Sequence, residues 1–159
     1  MLKGREIHGL TVYAGRAQEE IGRAVDVVVD EITGALRGLI IANNGLWQKN
    51  LYVDITHVRV LGRQGIIVPN KSHIKKMPKN LNGIKNLGWV GSQLVSREGH
   101  DLGTVADFLI KDGRISGLEI SGGIINDLTN RREFMPWENV AYDQGFFIGE
   151  DIQDGGFLI

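Results

Sequence analysis

Apolar and polar positions alternate along Val25–Asp30, where Val25, Val27 and Val29 interleave with Asp26, Val28 and Asp30. A period of two, dense in β-branched residues, predicts a strand rather than a helix. The run stops at Thr33–Gly34, and Leu36 with Gly38–Ile41 resumes at once, which predicts a hairpin with a glycine-containing turn. The same pattern returns later in the chain. Ile21–Gly22–Arg23–Ala24–Val25–Asp26–Val27–Val28–Val29 is answered by Leu102–Gly103–Thr104–Val105–Ala106–Asp107–Phe108–Leu109–Ile110, and Leu36–Ile41 by Ile115–Ile120. In the second copy the turn tightens to Lys111–Asp112–Gly113–Arg114, whose Asp-Gly pair tolerates the positive φ angles of a type I′ turn.

Shorter strands follow in each copy. Leu51–Val53 and Glu133–Met135 lead into the elbows Asp54–Val58 and Pro136–Val140, and Pro136 has no N–H for a ladder. The chain is expected to leave the sheet there through a 3₁₀ turn. Closing strands are expected at Val58–Leu61 with Ile66–Val68, and at Val140–Tyr142 with Phe146–Ile148; opening strands near Glu6–Val12 and Gln93–Ser96. No convincing amphipathic helix longer than two turns is visible. The offsets between copies are 81 at Gly22/Gly103, 79 at Gly34/Gly113, 82 at Val58/Val140 and 80 at Gly65/Gly145. Small indels at turns mark a duplicated domain, not a short-period solenoid.

The expected architecture is therefore all-β: two small antiparallel β-barrels in tandem, residues 1–68 and 88–159, joined by a linker at 69–87. Strands with turns every 8–12 residues favour small barrels, and 22 glycines supply their corners. Domains this small are marginal alone, so the halves are expected to pack on one another or to dimerise.

Charge sharpens the division. Residues 1–68 carry eight basic and seven acidic side chains, residues 69–87 five lysines and no acid, and residues 88–159 five basic and twelve acidic. A basic strap thus separates a neutral module from an acidic one. With no cysteine in the chain, disulfides, thiolate metal sites and a thiol nucleophile are excluded. No apolar run approaches the roughly 20 residues of a membrane-spanning helix, and the N-terminus has no signal-like apolar core. A cytoplasmic address without membrane insertion is expected.

The residues Ile21–Gly22–x–x–Val25–Asp26–Val27–Val28–Val29–Asp30–x–x–Thr33–Gly34–x–Leu36–x–Gly38–Leu39–Ile40–Ile41, with the opening Leu2–x–Gly4–Arg5–Glu6–Ile7, resemble the PRC-barrel family. Copy two fits through Leu102–Gly103–x–Val105–Ala106–Asp107 and Gly113–x–Ile115–x–Gly117–Leu118–x–Ile120. The family takes its name from the H subunit of photosynthetic reaction centres, and a similar barrel occurs in a small-subunit ribosome-maturation factor. The resemblance implies PRC-like barrels, adaptor or assembly work, and no shared catalytic constellation. A tandem pair is most similar to soluble bacterial members.

Candidate chemistry is sparse. Asp26 and Asp107 share one repeat position; paired carboxylates can do acid–base work, but a carboxylate bonding backbone at a corner of each barrel is the plainer reading. His8, His57, His73 and His100 have no metal-ligand spacing, and His57 is Asn139 in the second copy. Asp151–Ile152–Gln153–Asp154–Gly155 lacks the ligands of a calcium loop. No catalytic residue, metal site or cofactor is assigned.

Two features remain. The loops Ala42–Asn50 and Ser121–Arg132 carry Leu46 and Trp47, and Ile124, Ile125 and Leu128. Apolar loop residues can bind a protein partner or a second copy of the chain; alternatively they close a barrel end or bury the seam between barrels. The lysines Lys71, Lys75, Lys76, Lys79 and Lys85 can neutralise RNA phosphates, though no aromatic among them stacks a base; alternatively the strap is solvated or lies on the chain's acidic half. The expectation is a non-enzymatic interaction or assembly adaptor, with RNA or ribosome-assembly binding through the strap as the alternative.

Overall fold

In the computed structural model, residues 1–43, 49–81, 84–85, 87–122 and 133–150 are described, with backbone alone at 84, 85 and 87. The first half runs β1 (Leu2–Lys3), a helical turn α1 (Gly4–Ile7), β2 (Thr11–Ala14), β3 (Glu19–Val29), β4 (Leu36–Asn43), β5 (Leu51–Asp54), a 3₁₀ turn Ile55–His57, β6 (Val60–Gly62) and β7 (Gly65–Val68). The connector holds a 3₁₀ turn Lys71–His73, then β8 (Lys75–Lys76), β9 (Ile84–Lys85) and a second 3₁₀ turn Leu87–Trp89. The second half repeats the plan with β10 (Gln93–Ser96), β11 (Asp101–Lys111), β12 (Arg114–Ser121), β13 (Glu133–Pro136), a 3₁₀ turn Trp137–Asn139, β14 (Val140–Asp143) and β15 (Phe146–Gly149).

The chain is all-β, in two sheets. One has the order β6-β7-β2-β3-β4-β5-β8, the other β13-β12-β11-β10-β15-β14. Two expectations need correction. The sheets are mixed, because β2 pairs with β7 and β10 with β15 in parallel. Most of a repeat separates each such pair, so the chain has time to come back in the same direction, which a hairpin cannot do. Nor do the ladders close into barrels among the described residues. β5 and β6 lie towards opposite ends of the hydrogen-bonded path although they follow one another in sequence. The turn Ile55–His57 crosses that gap covalently, where a closed barrel would have a ladder.

Bulges curl the sheets. Register shifts fall between Ala24 and Asp26 in β3, and between Val105 and Asp107 in β11, at the same repeat position. There the carboxylate supplies the missing acceptor: Val27 N donates to Asp26 Oδ1 and Phe108 N to Asp107 Oδ1, each at 2.8 Å. An extra residue leaves backbone groups unpaired and bends the strand, so a short acidic side chain suits that place in both copies.

The opening segment differs from its expected strand. Gly4–Ile7 makes one helical turn, capped by Glu6, whose Oε2 accepts from Lys3 N at 2.7 Å. The chain then swings through Gly9, at φ +89°, into β2. In the closing hairpins, Gly62 pairs with Gly65 and Asp143 with Phe146. The offset there is 81, so Gly65 corresponds to Phe146 and not to Gly145.

The two halves are joined by more than a linker. β1, at the start of the first half, pairs with β11 of the second through Leu2↔Ile110 and Lys3↔Leu109. Reciprocally, β9 pairs with β3 of the first through Ile84↔Val29 and Lys85↔Val28. The long strands β3 and β11 outrun their neighbours β2 and β10, and each exposed edge is covered by the other half's opening segment. Buried residues of both halves, among them Val12, Leu39, Ile66, Leu94, Leu118 and Phe147, form one continuous hydrophobic cluster. Packing on one another is how two marginal modules gain a sufficient core.

Candidate functional site

The seam between the halves has two-fold character. The β3–β4 turn and the β11–β12 turn meet tip to tip: Leu36 N donates to Gly113 O at 2.9 Å, and Ile115 N to Gly34 O at 2.8 Å. Ala35 and Arg114, equivalent in the repeat, face each other as an antiparallel bridge. Equivalent residues exchanging equivalent hydrogen bonds is what a two-fold relation requires. The turns themselves differ. Asp112 and Gly113 both have positive φ, at 51° and 74°, as the Asp-Gly pair foretold. The longer first turn is held by Asp30, whose Oδ1 accepts from Thr33 N at 2.9 Å and Ile32 N at 3.1 Å, while Oδ2 pairs with Arg37 at 2.6 Å. The Thr33 N–H, then Arg37, hold the Asp30 carboxyl well below the usual carboxylate range.

Side chains lock the seam. Arg5 in α1 reaches the wholly buried Asp107 of the second half, its Nε 3.3 Å from Oδ2. Lys3 in β1 pairs with the buried Glu119 of β12. Arg114 Nη2 donates to Thr33 O at 3.0 Å. Gly4 lies so close to Phe108 that a Cβ there would collide with the ring, and one on Gly34 would stand 2.7 Å from Trp137 Nε1.

Around that contact the halves diverge. Trp89 stacks on Trp137 with centroids 5.6 Å apart, and meets Phe147 edge-on at 5.0 Å. Trp89, Phe108, Trp137 and Phe147 occupy the repeat positions of Ile7, Val27, Ile55 and Ile66. The second half thus has an aromatic core where the first is aliphatic. Clefts of 460 Å³ and 350 Å³ flank the turn contact, the first reaching Ile55 and the second Trp137.

Leu46, Trp47, Ile124, Ile125 and Leu128 lie outside the described residues. The strands that carry their loops are placed. β4 and β12 both begin at the turn contact and run away from it, to Asn43 and Ser121. Eight residues at about 3.3 Å each put those ends roughly 25 Å from the start of the strand. Asn43 and Ser121 are therefore the strand ends remote from the turn contact.

The lysine strap does not float. β8 extends the first sheet at β5, through Lys75↔Tyr52 and Lys76↔Leu51, and Lys71 Nζ pairs with Glu19 at 2.9 Å. Its observed ion pair is thus with the first half and not with the acidic second. Lys75, Lys76 and Lys79 are exposed, and Lys85 is in β9, its side chain outside the description. Asp26 and Asp107 occupy bulges, as the corner reading holds. His57 and His73 stack face to face with centroids 3.6 Å apart, a juxtaposition no sequence spacing announced. Among the described residues, no group of three or more His, Cys, Asp or Glu could hold a metal ion. No described helix is long and apolar enough to cross a membrane.

The PRC-barrel domain model matches residues 1–74 and 89–154, which is each repeat in turn. The chain belongs to the PRC-barrel family. Among solved structures, this PRC-barrel pair is similar to a putative 16S ribosomal RNA processing protein RimM from Pseudomonas aeruginosa, at 12% identity. That match covers 80% of this chain and 95% of the other, with a TM-score of 0.34. It is too slight to transfer a function. A search of curated proteins finds no match.

Proposed function

We propose that this PRC-barrel pair is a non-enzymatic assembly adaptor that holds two chemically different surfaces in one fixed relation. The observation that carries this reading is the turn-to-turn seam, backed by the exchanged strands. It sets the halves about a pseudo-two-fold relation and sends β4 and β12 away from the contact, so their loops serve as separate contact sites. Leu46 and Trp47 on one loop, and Ile124, Ile125 and Leu128 on the other, supply the apolar contacts. Each large side chain buried in a partner contributes about 1.5–3 kcal/mol before ordering costs.

Photo-crosslinking residues placed singly at Trp47 and Ile125 test it in cells. Each position should capture a protein, and Leu46→Ala should weaken the first crosslink while leaving the second. Silence at both positions, or one identical partner captured equally at both, overturns the two-surface reading. Self-association is read separately by sedimentation of the same variants.

A second reading, RNA or ribosome-assembly association, is favoured by Lys75, Lys76 and Lys79. All three are exposed, and no described ion pair engages them. RNA affinity should then fall steeply with salt and weaken on Lys→Ala substitution. Indifference to those changes removes this alternative.

A further inference from the structure

One end of the first half carries a feature that adaptor work leaves unused. The 3₁₀ turns Ile55–His57 and Lys71–His73 meet through their histidines at the edge of a pocket of 330 Å³, lined by Thr56, His57, Arg59, Asn70 and His73 together with Val58 and Pro69. We infer that this pocket binds a phosphate group, held by the Arg59 guanidinium and the N–H groups of His57, His73 and Asn70.

The donors are set and unspent. Asn70 Oδ1 already accepts from Ser72 N at 3.0 Å and Ser72 Oγ at 2.7 Å, which leaves its amide nitrogen to donate. The His57 and His73 rings lie 20° from parallel at 3.6 Å. In rings this close to parallel the nitrogen lone pairs lie in separate planes and do not converge on one metal ion. Each imidazole offers at least one N–H whatever its charge. No described hydrogen bond or ion pair engages the Arg59 guanidinium, and Arg is the side chain whose fork best matches a phosphate.

The charged groups here are mostly cations. Asp54, the acid of this turn, stays ionised and is felt by His57, while its Oδ1 accepts from Thr56 N at 2.9 Å and Thr56 Oγ1 at 2.7 Å. Glu19 is taken by Lys71. Lys75 and Lys76 follow directly on the same connector.

The duplication supplies the control. Thr56, His57 and Pro69 correspond to Glu138, Asn139 and Glu150 in the second half. Arg59 has no cationic counterpart: the offset drops from 82 at Val58/Val140 to 81 at Val60/Ala141, and the closing-hairpin register sets Val140 at its place. The same fold is built there without these donors and with carboxylates instead. Architecture therefore does not require them; an anionic ligand would.

The test follows the imidazole resonances of the full-length chain by NMR, with His57→Asn assigning one ring. The probes are sodium phosphate and a ten-nucleotide single-stranded RNA, each against sodium chloride at equal ionic strength. Saturable shifts of His57 and His73 with phosphate, weakened roughly tenfold or more by Arg59→Ala, support a small phosphorylated ligand. Saturation by the RNA alone, weakened likewise, supports the site with a nucleic-acid backbone as its source. No saturable shift with either probe overturns the inference on the unmutated protein. So does an affinity unchanged in an Arg59→Ala protein that melts within a few degrees of the original.

Discussion

Replacing Gly34 with alanine probes the seam at a single atom. Gly34 has φ +71°, and a Cβ there would stand 2.7 Å from Nε1 and 2.9 Å from Cδ1 of Trp137. Alanine in the left-handed region costs about 1–2 kcal/mol. The indole cannot swing aside freely, since Trp137 is buried and stacked on Trp89. Overpacking a filled site adds about 1–3 kcal/mol. Gly113 is the matched control: it is the equivalent residue, has φ +74°, and a Cβ there would meet nothing within 4 Å. Gly113→Ala should therefore pay the backbone cost alone. Urea unfolding of the full chain, read by tryptophan fluorescence and by circular dichroism, measures both variants. Gly34→Ala should be the less stable by about 1–3 kcal/mol, and melt lower by roughly 2–4 °C for each kcal/mol. If the two variants agree within about 0.5 kcal/mol, the usual scatter of independent substitutions, the tight contact across the halves is refuted.

Three further outcomes follow from the same contacts. Arg5→Ala strips the buried Asp107 of its cross-seam cation and should destabilise by about 1–3 kcal/mol. Adding Asp107→Asn should recover part of that loss, and strict additivity in denaturant midpoints would argue against the pair. Among the described residues the buried Trp89 and Trp137 indole N–H groups find no acceptor. Trp89→Phe should thus cost little, under about 1.5 kcal/mol, whereas Trp89→Ala should cost about 3–5 kcal/mol; equal losses on calorimetry would refute the assignment. Asp30, Asp54 and Glu6 all have carboxyls lowered below their usual range, chiefly by Thr33 N–H, by the Thr56 hydroxyl and by Lys3 N–H respectively. The unfolded chain takes up protons first as pH falls, so their contribution is complete above about pH 4–5 and is lost below it. Melting temperature should drop from pH 5 to 3, less steeply in Asp30→Asn; an identical slope would show that Asp30 contributes nothing.

The hairpins were legible because period-two alternation in Val25–Val29 and its copy is imposed by burial of one face, and the Asp112–Gly113 turn because few residues accept positive φ. Pro136 likewise marked the departure from the sheet. Partner choice leaves a weaker trace. Nothing in two residues such as Leu2–Lys3 or Ile84–Lys85 says which long strand they will join, and the parallel pairs join segments too far apart for turn chemistry to signal. Glu6 and Ile7 looked like the start of a strand because the cap that makes Gly4–Ile7 helical is a single carboxylate, Glu6. The His57–His73 stack depends on two separate turns meeting, which spacing along the chain cannot express. Arg59 could have been found: aligned through their closing hairpins, the two copies set this cation opposite the apolar Val140.

A symmetric pair of separate, identical chains must accept every substitution at two places at once. Here the same reciprocal crossing of opening segments lies within one polypeptide, so a change in one module leaves its counterpart untouched. Tryptophan and phenylalanine could fill one interior, and cations gather at one rim, without the opposite module having to tolerate either.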